Sequence, residues 1–471
     1  MIKARHRPPG FTEDFLTQQM DDWWQDWMRK ADQVLQDEPL VALVYEALAR
    51  RHPHSRTRGR PGTPEVVLRM LVLKHRHNWS FQVLEWEVRA NLVYRQFTRV
   101  GAGKVPDAKT LGRQAQALGP EVIEKLHGRV VDIARENKIA TGRRLRVDTT
   151  VVETNIHYPT DSSLLGDGVR VLTRVMKRVT EVAGEAGTKL RDRSRSVKLR
   201  VVEMARASRS KSQQGQQRMK SLYGKLLEAS GRVAAQARQF AKEIAEGVKR
   251  SADFKKQMAL EGMQNELETM LQRVKQVRRQ ARERVFGGNT HVEGKLASMF
   301  EHNTEIIRRG KASKPTEFGK MIKVQEAEGQ IITHYEVYDK RPADSDLLAP
   351  AIEIHQQRFG RAPDLVAADA AFYSARGEKV AHELGVKHLS VPNRSTHSAE
   401  RRKLQKKRWF KKGQQWRTGC EGRISVLKRR HGLNRCRYQG DRGLQRWVGL
   451  GVIADNLINI GRALAAETDT T

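Results

Sequence analysis

The spacing of hydrophobic and polar residues changes several times along the chain, and each change predicts a new structural region. Between residues 63 and 137, apolar side chains recur three and four positions apart, which is typical of helices. Thr63 is expected to cap one helix, Ser80 the next, and Pro106-Asp107 predicts the start of a third. This stretch is therefore expected to be a compact group of helices.

Strand patterns lie on both sides of a long helical region. Residues 143–156 carry β-branched and apolar side chains around one acidic residue, Asp148, which predicts a buried strand. Farther along, residues 320–325 and 331–338 predict two antiparallel strands joined by a Glu-Gly-Gln turn. Residues 365–369 predict a buried strand that ends at an aspartate, Asp369.

The C-terminal part of the chain is expected to contain further helices and one short strand. Helices are predicted over residues 347–357 and 374–384, and a short strand over 388–391. A very basic run, 401–412, precedes a last helical segment that starts at about Arg417.

The region after the first strand is predicted to be entirely helical, because no proline interrupts residues 169–285. Its apolar positions alternate steps of three and four, so an antiparallel helical hairpin or coiled coil is expected. Positive charge on the outward faces favours DNA clamping or dimerisation, and a face that only keeps the helix in solution is the alternative. The predicted seam consists of Leu260, Met263, Leu267, Met270, Val274, Val277 and Ala281.

The order of these elements predicts a multidomain α+β and α/β protein with an RNase H-like catalytic core, in which helices flank a mixed sheet. An N-terminal arm and helix are expected over 1–60, and an all-helical, helix-turn-helix-like DNA-binding domain over 61–140. The catalytic domain is predicted over 141–164 and 289–465, and a helical or coiled-coil insertion over 165–288.

Composition adds a strong charge bias, since 88 Lys and Arg stand against 54 Asp and Glu, a net charge of +34. Such an excess opposes folding through self-repulsion unless a polyanion neutralises it. Nucleic acid is the polyanion that this bias favours. The two cysteines, Cys420 and Cys436, have no neighbouring ligands at zinc spacing, which argues against a structural zinc site or a disulfide framework.

Targeting signals are not apparent in the sequence. The first 30 residues lack the apolar stretch of a secretory signal, and no apolar run is judged to approach the roughly 20 residues that a membrane helix needs. The chain is therefore expected to be cytoplasmic and to have no membrane partner.

Three carboxylates are the candidate catalytic residues. Asp148 and Asp369 lie in apolar strands, where an uncompensated carboxylate is costly, so a metal partner is a reasonable explanation. Hard cations such as Mg²⁺ take oxygen ligands, and a pair of them can assist an in-line displacement at phosphorus. Glu421 shares one helix face with Arg417 and Lys428, within about 40° of one another. A surface ion pair at i,i+4 is the plain alternative for Glu421.

These residues resemble the C-terminal motif of DDE-type insertion-sequence transposases of the IS-four/IS-five superfamily, which is Tyr, two residues, Arg, three residues, Glu, six residues, Lys. The chain has Arg417, Glu421 and Lys428 at those spacings, and Gln414 where the family has Tyr. Trp416 lies close enough in sequence to offer an alternative stacking surface.

Other segments extend the resemblance over roughly residues 59–460. Residues 147–150 and 368–373 are similar to the strands that carry the family's first and second aspartates, and 59–118 is similar to its N-terminal domain. The stretches 154–170 and 419–437 resemble the ISNCY branch.

The resemblance implies an enzyme that binds the terminal inverted repeats of its element and pairs the two DNA ends in a homodimer or higher multimer. Water would nick one strand, and a DNA 3′-hydroxyl would then attack the target phosphodiester. The family implies that Asp148, Asp369 and Glu421 hold two Mg²⁺ (or Mn²⁺) ions, and that Arg417 and Lys428 grip phosphates. Arg423 is a further candidate for a phosphate contact.

Several alternatives stay open at this stage. Thr110, Arg113 and Gln114 would face the DNA groove in the helix-turn-helix interpretation, while a plain helical bundle is equally compatible. Two rival functions remain. One is a catalytically inactive or co-opted DNA-binding relic of a transposase, and the other is a nuclease that does not join DNA. The pair Asp344 and Asp346 is interpreted as a helix cap.

Overall fold

The computed structural model describes residues 23–51, 64–184, 186–210, 212–308 and 315–468. The chain divides into two compact units. The first unit combines Met1–Asn155 with Lys311–Thr471, and the second comprises Ile156–Gly310.

The N-terminal part of the first unit is helical, and its capping follows the local sequence. The Ser80 hydroxyl accepts a hydrogen bond from the Val83 amide, and Asp107 accepts one from the Thr110 amide, so both predicted helix starts are confirmed. Thr63 lies outside the described residues. The helices are α1 (Asp26–Leu35), α2 (Glu38–Arg51), α3 (Pro64–Arg76), α4 (Phe81–Ala90), α5 (Leu92–Phe97), α6 (Ala108–Ala117) and α7 (Pro120–Glu136).

A mixed sheet forms the other part of the first unit, in which the spatial order β3-β1-β5-β6 is continuous and β4 pairs with β3. The strand β1 pairs antiparallel with β3 and parallel with β5, and β5 pairs parallel with β6. The hairpin β3–β4 turns at residues 328–330, as predicted. The strands are β1 (Arg144–Glu153), β3 (Thr316–Glu326), β4 (Ile332–Val337), β5 (Leu365–Ala368) and β6 (His388–Ser390).

Helices flank this sheet, which agrees with an RNase H-like core. The last predicted helical segment is in fact two helices, and the first of them begins nine residues earlier than expected. The basic run is thus helical, because Lys and Arg have good helix propensity and Phe410 packs in the interior. The helices are α12 (Leu348–Phe359), α13 (Ala375–Glu383), α14 (Ala399–Lys406), α15 (Arg408–Arg430) and α16 (Gly440–Thr468).

The helix α16 is the central core element of the first unit. Residues 451–460 are all buried, and α16 packs against α1, α3 and α7. Residues 440–466 are also long and apolar enough to span a membrane, with a mean hydropathy of 1.2 over an 18-residue window, so the expectation that no such run exists is wrong. Because 78% of that window is buried inside the protein, it has the character of a core helix.

The second unit is built mainly from helices. The predicted seam is confirmed, since all seven of its residues are buried on α11, and α11 packs against α8 and α10. Buried Asp161 at the start of α8 accepts hydrogen bonds from Gln280 (2.9 Å) and Arg284 (2.6 Å), which fixes the register of the packing. The elements are α8 (Asp161–Ala183), α9 (Ser194–Ala207), α10 (Gln213–Ala245), α11 (Phe254–Val285) and the short strand β2 (Glu305–Arg308).

Candidate active site

The two aspartates that the sequence singled out lie side by side on neighbouring parallel strands. Val147 of β1 is in register with Ala368 of β5, so Asp148 and Asp369 each occupy the next position along the adjacent strands. Strands in a sheet lie about 4.8 Å apart, so the two backbones hold these residues as neighbours. The side chain of Asp369 also accepts a hydrogen bond from the Ala370 amide at 2.6 Å, where β5 ends.

Helix α15 brings a third carboxylate and a cation to the same place. The Arg417 guanidinium donates to Glu421 Oε1 at 2.6 Å and lies 3.9 Å from Asp148 Oδ2. The Arg417 side chain is only 14% exposed, whereas that of Glu421 is 56% exposed. The structure therefore brings Asp148, Asp369, Glu421 and Arg417 together, with the arginine between two of the carboxylates.

The pKa of Asp148 is changed strongly by its surroundings. Burial raises the pKa of Asp148 from 3.8 to about 6, and the charges of Asp369 and Glu421 push it in the same direction. The Thr149 amide and Arg417 oppose this shift. For Arg417, burial disfavours the charge, yet the three carboxylates outweigh it and raise its pKa. A carboxylate with a raised pKa, next to other carboxylates, is a group whose charge a bound cation would stabilise.

Gln414 ties α15 to the sheet at the position where the family motif has tyrosine. Its side-chain amide donates to the carbonyl oxygens of Ala368 (3.3 Å) and Ser390 (2.5 Å), the last residues of β5 and β6. Gly413 allows the close approach, because a Cβ added there would lie 2.6 Å from Ser390 Cβ. The departure from the motif thus positions the helix that carries Arg417.

A buried network of ion pairs connects the elements that carry the site. It includes residues that the sequence analysis did not identify. Arg146 of β1 pairs with Glu326 of β3, and Arg423 of α15 donates to Asp455 of α16 at 2.9 and 3.1 Å. Arg423 also lies 3.9 Å from Glu326, which links the two pairs. His431 is 3.4 Å from Asp455. The network joins β1, β3, α15 and α16.

Arg423, which the sequence offered as a phosphate contact, lies inside the fold. Arg423 is 6% exposed, and its guanidinium is occupied by Asp455 and Gln330. The reason is that residue 423 falls on the inward face of α15, as do buried Cys420 and Leu427. Arg423 is therefore a structural residue.

Trp416 and Lys428 complete the predicted set on α15. Both are half-buried. The Arg146 guanidinium carbon lies 4.8 Å from the Trp416 ring centre, and Arg146 donates to the Trp416 carbonyl oxygen at 2.5 Å. One face of Trp416 is thus already covered by Arg146. Lys428 follows Glu421 by two helical turns on the same side of α15.

The interpretation of Asp344 and Asp346 as a helix cap is wrong. They form a 3₁₀ turn, and α12 has Leu347 as its N-cap with no side-chain capping bond. Asp344 instead accepts a hydrogen bond from the Thr149 hydroxyl at 3.0 Å, one residue after Asp148. No sequence signal linked these residues, which are 195 positions apart.

The three residues predicted to face a DNA groove lie on α6. Arg113 is exposed, and Thr110 and Gln114 are half-buried. The side-chain hydroxyl of Thr110 donates to Asp107, which caps this helix. The structure does not bring these residues into the carboxylate cluster.

The donor set fits a hard divalent cation by its chemistry, since it consists of carboxylate oxygens, one of them with a raised pKa. Within the described residues, however, no three His, Cys, Asp or Glu side chains are already close enough to hold one ion. Glu421 points to Arg417 and would have to turn away from it to become a ligand. Arg394, which lies 3.7 Å from Asp369, is a further cation at the edge of the cluster that the sequence did not identify.

Comparison with known families agrees with this site. Residues 379–460 match the family described as the transposase DDE domain. The matched segment contains Arg417, Glu421 and Lys428, while Asp148 and Asp369 precede it. No curated protein and no solved structure matches the chain. The family match supports a DDE transposase, an enzyme that acts on DNA.

Proposed function

We propose that this chain is a DDE transposase that binds the terminal inverted repeats of an insertion sequence and catalyses metal-dependent strand cleavage and strand transfer. The observation that carries the proposal is the convergence of Asp148, Asp369 and Glu421 around Arg417, from two parallel strands and one helix. The family match over residues 379–460 supports the same reaction class.

In this proposal Asp148, Asp369 and Glu421 hold two Mg²⁺ (or Mn²⁺) ions. When bound, such ions increase the nucleophilicity of the attacking hydroxyl and stabilise the leaving oxygen of a phosphodiester. The protein holds Asp148 and Asp369 on rigid strands, so that these ligands lose little freedom when a cation binds. Burial of Asp148 raises its pKa to about 6, so it is ionised above that pH and available as a ligand.

Arg417 has a double role in the proposed reaction. Without metal it pairs with Glu421 at 2.6 Å and neutralises part of the negative charge of the cluster. Its Nε is buried without a hydrogen-bond partner. With Glu421 as a metal ligand, the Arg417 guanidinium would be available to a DNA phosphate. Lys428, two turns along α15, contacts a second phosphate.

The remaining parts of the proposal concern partners and place. The helices of residues 64–136 read double-stranded DNA, with Thr110, Arg113 and Gln114 at the groove and Trp416 as a stacking surface near the site. Two or more copies pair the two ends of the element, as the reaction needs both ends together. The charge of +34 suits a protein that works on DNA in the cytoplasm.

The test is cleavage of a labelled duplex that carries the terminal repeat, with purified wild type and with Glu421→Gln. Nicking at the repeat boundary is expected in wild type with Mg²⁺ and not with EDTA. The variant should lose nicking by at least a thousandfold and keep its affinity for the duplex, because a metal ligand is removed while the phosphate contacts stay.

A matched control is Glu353→Gln, which removes one exposed carboxylate of α12 from the same unit. It should cleave as wild type does. Tight repeat binding without cleavage in wild type would identify a DNA-binding relic. Cleavage that survives in Glu421→Gln would refute the assignment of the site. Cleavage without any joining to target DNA would indicate a nuclease.

A further inference from the structure

The helical unit Ile156–Gly310 carries positive charge that the active site does not use. It has 32 Lys and Arg against 17 Asp and Glu, an excess of 15. The excess is concentrated between residues 189 and 225, which contain 12 Lys and Arg but only two carboxylates, Asp192 and Glu203. Asp192 is itself paired with Lys177 at 2.7 Å. This segment contains helix α9.

Helix α9 has an outward face that is both basic and apolar. Val197 and Met204 are its buried residues, and it packs through that side against α8 and α10. On the opposite side Arg195, Leu199, Val202 and Arg206 lie within about 60° of one another, since each residue turns by 100°. Lys198 lies at the edge of this group. We call these five residues the α9 stripe.

The α9 stripe is open to solvent along its length. Leu199 is 58% exposed and Val202 is 40% exposed, so the stripe presents two adjacent aliphatic side chains to solvent. Arg195, Lys198 and Arg206 are exposed too, and they form no ion pair within the part of the chain that the structure describes. Exposed cations without carboxylate partners, around two aliphatic side chains, indicate a surface that meets an anionic partner.

We propose that the α9 stripe is a second DNA-binding surface, in which Arg195, Lys198 and Arg206 contact phosphates and Leu199 and Val202 contact thymine methyl groups in the major groove. The proposal rests on the proposed function, because DNA is the partner that it requires. The stripe spans about 16 Å along the helix axis, at about 1.5 Å per residue, and an α-helix fits the width of the major groove.

Charge complementarity favours DNA over a second copy of the chain. If two stripes met across a symmetric interface, six cations would face one another around four aliphatic side chains, and like charges opposite one another oppose association. A DNA duplex supplies the negative charge, and the thymine methyl groups in its major groove supply apolar partners.

The test uses the full chain with Arg195→Gln/Lys198→Gln/Arg206→Gln, and measures affinity for a duplex carrying the terminal repeat as a function of salt. The slope of log K against log salt should become shallower by about 2 to 3, because each phosphate contact contributes about 0.9. The control is Lys255→Gln/Lys256→Gln/Lys275→Gln, which removes the same charge from exposed positions of α11. The control should change the slope by less than half as much.

A second variant, Leu199→Ser/Val202→Ser, separates base contact from charge. It should leave the salt slope unchanged and weaken binding to duplexes with A·T pairs more than to duplexes of G·C pairs alone. Thermal unfolding should match that of wild type, since all the substituted side chains are exposed.

Three results would overturn the proposal. The triple variant and its control could give equal slopes, which would show that only the overall charge acts. The serine variant could lose binding to phosphatidylserine vesicles while DNA binding stays intact, which would identify a membrane surface. It could also lower the multimer order in sedimentation with DNA affinity unchanged, which would identify a subunit interface. If wild type showed no Mg²⁺-dependent cleavage of the terminal-repeat duplex, the proposed function itself would be refuted, independently of the α9 stripe.

Discussion

Replacing Asp148 by Asn should make the metal-free protein more stable while it abolishes cleavage. The folded state raises the pKa of this aspartate from 3.8 to about 6, mainly through burial. A raised pKa means that the protonated, neutral form of Asp148 is more favourable in the folded protein than in the unfolded chain. The penalty of ionising Asp148 is therefore absent below pH 3.8 and complete above pH 6. A difference of about two pKa units corresponds to about 3 kcal/mol.

Urea unfolding in EDTA measures this effect directly. At pH 7.5 Asp148→Asn should exceed wild type by about 2 to 3 kcal/mol in free energy of unfolding, because Asn is isosteric and carries no charge to desolvate. Near pH 4 the difference should shrink below about 1 kcal/mol, since wild type is then mostly protonated at this position. Adding Mg²⁺ should stabilise wild type and leave the variant unchanged.

The control for this comparison is again Glu353→Gln, an exposed carboxylate of the same unit whose loss should shift stability by less than about 0.5 kcal/mol. If Asp148→Asn were no more stable than wild type at pH 7.5, burial would not penalise the charge of Asp148 as proposed. A stability gain that did not depend on pH between 4 and 7.5 would refute this penalty equally, because the gain would have a cause other than ionisation.

Other perturbations test the frame around the site. Asp455→Asn should cost about 3 kcal/mol in urea unfolding, because it removes the carboxylate nearest to the buried Arg423 guanidinium, whereas Arg423→Met/Asp455→Leu should recover most of that loss. Gly319→Ala should cost at least about 1 to 3 kcal/mol, because its Cβ would lie 2.1 Å from the Val152 carbonyl oxygen. Gly422→Ala, which meets open space on a helix, should instead gain about 0.5 to 1 kcal/mol. An equal loss in both glycine variants would contradict the packing argument.

The sequence predicts the helices whose apolar residues recur at regular spacing. It also predicts that Asp148 and Asp369 lie on neighbouring strands. The seam of α11 follows from apolar steps of three and four, and all of its residues are buried. Asp148 and Asp369 each interrupt or end a buried strand, and such strands pair side by side in a sheet. Both the spacing of apolar residues and the presence of a carboxylate in an apolar strand can be recognised in a single sequence.

The contacts that the sequence did not predict are those between distant polar residues in apolar surroundings. Arg423 was expected at a phosphate, but its partner Asp455 lies in the apolar core helix α16, where a carboxylate gives no signal of what it pairs with. Asp344 looked like a helix cap, and only the fold shows that it accepts a hydrogen bond from Thr149. Gln414 departs from the family motif, and its role depends on backbone carbonyls at two strand ends.

The pairing of β1 with β3 also has a consequence for how the chain folds. Glu153 is in register with Gly319, so 165 residues separate two positions that are neighbours in the sheet. Closing so long a flexible segment costs about 4 to 5 kcal/mol of loop entropy. Folding of the helical segment joins Asp161 near its start to Arg284 near its end, which shortens the effective loop before the strands meet. The sheet, and with it the pair of aspartates, is therefore expected to assemble late, after the helical insertion has folded.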